Sequence, residues 1–522
     1  MHSICSLCTY YCCRFEPRNA RLARALRANC GHVALLCTVA LLHARRCPYT
    51  MVALTMLAIL AALPVAIAQD PRQTCPASGC GVSPMGNEFF PFIQRVGYDP
   101  AATDPFTFRY YNKHEVVLGK PMSEWFRFSV AFWHTFMGTG SDPFGGPTKK
   151  WPWHDPALTP MQKAEAAMRA NFELIDKLGV DFWCFHDRDI APGGATLAES
   201  NANLDKIVAL AEKLQKQTGT RPLWGTAQLF AEPWYMHGAS TSPQAEVFAR
   251  AAAQAKKAMD VTHKLGGLNF VFWGGREGYT SLLNTDMGLE LKHLAAFLKM
   301  AVDYKAKIGF NGTLLIEPKP KEPSIHQYDW DAATSIGFLR AHNLSDSFAI
   351  NVECNHATLS GHSCVHELET SRLAGMLGSV DANTGDLLTG WDTDQFLTDP
   401  RDASRIMRVI IANGGLAPGG FNFDAKLRRE SVDVEDIVIA HIAGMDALAR
   451  GLRSAAKIIE DGRLDALKAG RYASFQTGIG ADIEAGKVGW SELEAWVLKQ
   501  NANPAHVSAK LEHFERLEEA FI

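Results

Sequence analysis

Beyond its first 84 residues the chain is nearly free of cysteine. Nine of its twelve cysteines (Cys5, Cys8, Cys12, Cys13, Cys30, Cys37, Cys47, Cys75 and Cys80) precede residue 85, and only Cys184, Cys354 and Cys364 follow. So sparse a set excludes a disulfide framework for the body, and its three thiols are expected to stay unpaired. The leader's CSLC and its adjacent Cys12 and Cys13 lack a second ligand pair at zinc spacing. A basic surplus is also missing. The net charge of −4 gives no electrostatic ground for a nucleic-acid partner. Neither a GxxxxGK[ST] loop nor a strand-linked GxGxxG occurs, so no nucleotide cofactor is expected.

Acidic residues are scarce at the start. Before Asp70, Glu16 stands alone against seven arginines. Residues 51–68, MVALTMLAILAALPVAIA, form an apolar run behind Arg45 and Arg46 and end in the small-x-small triplet Ala66-Ile67-Ala68. That is the pattern of a signal peptide. At 18 residues the run also reaches the length of a membrane anchor. A third reading places the true start at Met51 or Met85. The expected location is the secretory or endomembrane pathway if the run is a signal peptide, and the cytoplasm otherwise. Membrane contact is expected only if the leader is retained. Residues 1–84 are therefore set apart as a non-core leader.

From about residue 120 eight short β-rich runs alternate with helical stretches: FRFSVAFW (126–133), DFWCFHD (181–187), PLWGTAQLF (222–230), NFVFWGG (269–275), GTLLIEP (312–318), FAINVECNH (348–356), MLGSVDAN (376–383) and GGFNFDAK (419–426). In the first intervening stretch Ala164, Met168, Phe172, Ile175 and Leu178 form one stripe that ends at Gly179; in the next, Leu204, Ile207, Ala211 and Leu214 do so before Gly219. Eight strands alternating with helices predict an α/β fold, a (β/α)8 TIM barrel over 85–435; an open doubly wound sheet has the same count. After about residue 435 no strand is evident. Residues 436–522 read as a C-terminal helical arm that covers the barrel or a neighbouring subunit.

The runs end in chemistry, as the catalytic face of a barrel requires. Glu317 closes GTLLIEP, Glu353 and His356 lie in VECNH, Asp381 in SVDAN, Asp392 and Asp394 in WDTD, and Asp424 in FNFDAK. Six carboxylates and one imidazole gathered on one face repel unless cations intervene, and seven side chains suit two divalent ions sharing a carboxylate. In an extended segment Asp392 and Asp394 point the same way. Oxygen-rich donors favour Mg²⁺, and the single histidine admits Mn²⁺ or Co²⁺. The competing reading is that each acid merely caps the next helix. Lys319, two residues after Glu317, is placed to hold a substrate oxygen where negative charge develops. His186 and Asp189, from HDRD, form an acid–base pair. Trp224, Trp273 and Phe144 sit at the same rim, as aromatics do in carbohydrate sites.

WHTF, CFHDRD, WGGREGY, LLIEPKP, NHATLSGH, GSVDAN, GWDTDQF and GGFNFDAK, in this order, closely resemble xylose isomerase of the longer class II type, from Met85 to the C-terminus but not over residues 1–84. The resemblance implies a homotetramer, interconversion of D-xylose and D-xylulose by ring opening and a 1,2-hydride shift, and glucose–fructose conversion as a side activity. It implies His186, Asp189 and Lys319 as catalytic residues. One cation is implied at Glu317, Glu353, Asp381 and Asp424, and another at Glu353, His356, Asp392 and Asp394. Trp224, Trp273, His134 and Phe144 are implied at the substrate, Phe144 donated by a neighbouring subunit. The alternatives are a ketose 3-epimerase, an abasic-site endonuclease, which would need a basic DNA-facing surface, and a non-catalytic sugar-binding or membrane-anchored homologue, which would have lost ligands.

Overall fold

The computed structural model describes residues 88–522; the leader's apolar run 51–68 and its cysteines lie outside the described residues. Among the described residues no helix is long and apolar enough to cross a membrane.

All eight expected runs form strands: β1 (Ser129–Ala131), β2 (Phe182–His186), β3 (Arg221–Thr226), β4 (Asn269–Trp273), β5 (Thr313–Glu317), β6 (Phe348–Glu353), β7 (Leu377–Asp381) and β8 (Phe421–Phe423). They pair in parallel in sequence order, and β8 closes on β1, so the barrel is chosen over the open sheet. Between them run α1 (Pro160–Leu178), α2 (Leu197–Thr218), α3 (Ala245–Lys264), α4 (Met287–Ile308) and α5 (Ala332–Ala341). These are followed by α6 (Cys354–Ser360), α7 (Cys364–Leu373), α8 (Pro400–Ala412) and α9 (Val434–Asp461).

Local signals set the helix limits. Thr159 and Gln162 form a reciprocal cap on α1, Pro160 occupies its first turn, and Gly179 ends it with φ 69°. Thr196 caps α2, and its expected stripe, Leu204, Ile207, Ala211 and Leu214, is buried. Strand residues alternate between two cores. Trp183 and Phe185 face the helices, while Phe182 and Cys184 join Leu223, Trp224, Val271 and Leu315 in a separate cluster that fills the barrel interior. His186 continues the inward series, which is why an apolar strand ends in a titratable group.

The helix foreseen after residue 435 is α9, the outer helix of the eighth strand–helix unit, with Val438, Met445, Leu448 and Leu452 buried. The barrel thus runs on to Asp461. The arm beyond it comprises α10 (Arg463–Arg471), α11 (Gly478–Glu484), α12 (Trp490–Gln500) and α13 (Leu511–Glu519). It touches the barrel through the forked Arg405–Glu518 pair at 2.7 and 2.6 Å, yet α12 buries none of its residues in this chain.

Two buried carboxylates fasten the segment ahead of β1. Glu173 on α1 accepts the amides of Phe89 and Phe90 at 2.8 and 2.9 Å. Asp446 on α9 accepts those of Arg109, Tyr110 and Tyr111 at 2.9, 2.9 and 2.7 Å.

The expectation of three free thiols is corrected. Cys354 and Cys364 form a disulfide, and Cys184 is the free, buried one among the described residues. Cys354 opens α6 and Cys364 opens α7. The short α6, ended by Gly361 at φ 85°, folds back so that the two Cα atoms are 4.6 Å apart, well within bridging distance. Cysteine spacing alone carries no information about that reversal.

Candidate active site

Glu317, Glu353 and Asp381 are the last residues of β5, β6 and β7, and Asp424 follows β8 by one. Parallel register levels them: Glu353 pairs with Asp381, and Asp381 with Asn422. Each of these four offers an oxygen, and the four oxygens lie within 4.8 Å of one another. Glu353, Asp392 and Asp394 form a second such group, and Glu317, Glu353 and His356 a third. His356 Nε2 is 3.2 Å from Asp392 Oδ2, and its Nδ1 is 3.0 Å from Glu353 Oε2. All seven candidate ligands therefore meet at one mouth of the barrel, with Glu353 common to the groups. The helix-capping alternative fails: Glu353 precedes α6 without a side-chain cap bond, and α5, α7 and α8 are capped by Asp331, Ser363 and Asp399.

Two unit charges about 4 Å apart repel by roughly 4 kcal/mol at an effective dielectric near 20. Four neighbouring carboxylates therefore cannot all stay ionised without counter-charge. The structure answers in two ways. Burial, then repulsion from Asp381 and Glu353, lifts Glu317 far above the carboxylate range. Burial and Asp392 do the same to Glu353, and burial and Asp424 push Asp381 up to about 8. Asp392 and Asp394 are instead held low despite burial. Lys319 and His356 do this for Asp392, and Lys426 and His134 for Asp394. Such a donor set, mostly oxygen with one imidazole, buried and over-supplied with negative charge, fits divalent cations.

Side-chain amides hold the carboxylates in place. Asn351 donates to Glu317 and Asp381 at 2.9 and 2.5 Å. Asn383 donates to Glu353 at 2.8 Å, Asn422 to Asp381 at 2.7 Å, and Asn355 to Asp394 at 3.1 Å. The Trp133 indole N–H donates to Asp424 at 2.8 Å. Sequence reasoning missed these residues and Lys426. A signal was present: Asn351, Asn422 and Asn383 each stand two positions from a ligand on an alternating strand, hence on the same face.

The remaining candidates divide. Lys319 is buried, with Nζ 2.6 Å from Asp392 Oδ2 and 5.3 Å from the centroid of the Trp273 ring; Asp392 raises its pKa against burial. His134 Nε2 lies 3.0 Å from both Asp394 and Asp424, and these two push it up to about 9 against burial. His186 Nδ1 lies 2.8 Å from Asp189 Oδ2, off the line of a good hydrogen bond, and Gln228 steadies the other Asp189 oxygen at 2.8 Å. Trp133 meets the His186 ring edge-on at 4.5 Å. Trp273 faces His356 at 6.5 Å and abuts Phe230 at 4.5 Å. Trp224 is buried deeper in the barrel interior, 5.3 Å from Trp133. Phe144 is 83% exposed and stacks on Trp391, which precedes Asp392, so in the single chain it lies on the outer rim.

A closed parallel barrel with a buried carboxylate–imidazole cluster at the strand ends defines the (β/α)8 class, and its donor set fits divalent cations. Known proteins narrow it further. Xylose isomerase of Hordeum vulgare is 59% identical over 471 residues, covering 89% of this chain and 98% of that protein. Xylose isomerase of Arabidopsis thaliana is 59% identical over 456 residues, covering 86% and 95%. That of Thermotoga neapolitana is 52% identical over 436 residues, covering 83% and 98%. Residues 468–521 match the family model described as the XylA2 C-terminal domain. The chain belongs to the xylose isomerase family. The barley match spans more positions than lie between Met85 and the C-terminus, so the likeness reaches into the leader, further than the motifs alone indicated.

Proposed function

We infer that the chain interconverts D-xylose and D-xylulose. The observation that carries this reading is the set of seven candidate ligand side chains at one barrel mouth, with His186 at the end of β2 and Asp189 three residues beyond it. The reaction moves hydrogen with its electron pair from C2 to C1 and a proton from O2 to O1, so no outside oxidant is needed. Glu317, Glu353, Asp381 and Asp424 would hold one divalent cation, and Glu353, His356, Asp392 and Asp394 another. Bound there, the ions supply Lewis-acid polarisation of the sugar oxygens. Mg²⁺ is the proposed ion, from the excess of oxygen donors.

His186, turned by Asp189, transfers the proton that opens the pyranose ring. Lys319 Nζ donates to O1 as negative charge develops there. Trp133, Trp273 and Phe230 wall the site against water, and Trp224 supports Trp133 from below. His134, charged between Asp394 and Asp424, is placed to hydrogen-bond a sugar hydroxyl.

The longer class II type, a slower glucose–fructose conversion and a homotetramer belong to the same proposal. The assembly is supported by the arm, where Trp490 is 92% exposed and Leu498 72% with no cover in the single chain. In the tetramer a neighbour's Phe144 reaches the sugar. Entry into the secretory pathway is supported by the 51–68 run and by the Cys354–Cys364 bridge, since such bridges persist in oxidising compartments.

The test is xylulose formation by the full chain with Mg²⁺. Product should appear, vanish after EDTA and return with Mg²⁺, and His186→Asn should lose most of it. No cation-dependent product from folded protein would overturn the assignment.

A further inference from the structure

We propose that His362, His366 and Glu367 form a separate transition-metal site on the barrel rim, sharing no ligand with the cluster at the barrel mouth. His362 follows the Gly361 turn that ends α6, and Ser363 caps α7 by accepting the His366 amide at 3.3 Å. The turn into α7 brings the two imidazoles together, tilted by 58° with centroids 4.4 Å apart. His362 Nδ1 is 2.6 Å from Glu367 Oε1, and one donor atom from each of the three side chains lies within 4.8 Å of the others.

The donors differ in kind from those at the strand ends. Two imidazoles and one carboxylate are the ligand set of Zn²⁺ and its borderline neighbours, whereas hard ions such as Mg²⁺ prefer oxygen alone. The site is anchored before any ion arrives. Glu367 is 4% exposed, and its second oxygen accepts the Ala332 amide at 2.6 Å. The disulfide ties the start of α7 to the start of α6, so the loop that carries His362 is held at both ends. His366 is exposed, which leaves an ion open to solvent on one side for a fourth, water ligand. Binding requires the His362–Glu367 contact to open by less than an ångström, because ligand atoms around a tetrahedral Zn²⁺ lie about 3.3 Å apart.

The experiment is equilibrium dialysis of the full chain against Zn²⁺ in excess Mg²⁺ without thiol reductant, with metal counted per chain. Wild type should hold one more Zn²⁺ per chain than His366→Ala and than His362→Ala, while both variants keep wild-type Mg²⁺-dependent xylulose formation. Taking the difference between proteins cancels Zn²⁺ bound at the leader cysteines or displacing Mg²⁺ at the barrel mouth. Substitution at the exposed His366 leaves the packing intact, so this variant carries the test if His362→Ala does not fold. Equal counts in all proteins overturn the proposal. So does a deficit that appears only together with lost activity.

Discussion

The two halves of the acidic cluster hold like groups in opposite states. At the ends of β5 to β7, Glu317, Glu353 and Asp381 face one another among neutral amides, with His356 3.0 Å from Glu353, and burial and repulsion still raise all three. In the loop after β7, Asp392 and Asp394 are as crowded but sit against Lys319, His356, Lys426 and His134, and are held low. The first half answers excess charge by taking up protons, the second by recruiting the chain's own cations. The first half should therefore exchange protons for metal ions, and the second should exchange ammonium and imidazolium contacts.

Breaking the residue common to both halves should have the largest effect. Glu353→Gln is expected to lose about 10³-fold in kcat, the size of several kcal/mol of electrostatic stabilisation, and to lower the bound-ion count in both halves, measured by calorimetric titration. Lys319→Met should make Asp392 behave like its neighbours across the site. Its activity should fall ~10²-fold or more through loss of the donor at O1, with an upward shift of the Asp392 titration readable by carboxylate NMR.

The pH dependence of stability sharpens the contrast. Asp381 rises from 3.8 to about 8 on folding, so across that window the folded, ion-free protein binds more protons than the unfolded chain. Its stability therefore falls as pH rises through the window, and bound cations, which displace those protons, remove the loss. The gap in Tm between ion-loaded and EDTA-stripped protein should widen by several degrees from pH 5 to pH 8; a constant gap would contradict the first half's protonation. The smallest effect is expected of Trp133→Phe. It removes one donor to Asp424 and should weaken ion binding by ~10-fold while leaving Asp392 and Asp394 unaffected.

The barrel was legible because each strand is a short apolar run with a charged end and each helix carries its own stop, as Gly179 and Gly219 do. The ligands were legible for the same reason, since strand ends in a parallel barrel converge. What escaped depended on distances between elements. Lys426 and the four asparagines look like ordinary polar residues until the register levels them with the carboxylates. The Cys354–Cys364 bridge depends on the reversal at Gly361, and the outer position of α9 on where the eighth strand delivers it. Composition placed a boundary at residue 435 because strands ceased there, but an eighth strand still needs a covering helix.

Glu173 and Asp446 give the molecule a practical lower limit on its length. Each is a buried acid whose partners are backbone amides of residues 89–90 and 109–111. A protease that clips ahead of Phe89 leaves both acids satisfied and the barrel intact. One that removes the chain through Tyr111 leaves Asp446 buried without donors, at several kcal/mol, and Glu173 with Lys177 Nζ at 2.9 Å as its remaining partner. A chain that starts at Phe89 should therefore still fold, and one that starts at Asn112 should not, as circular dichroism of the two truncations would show.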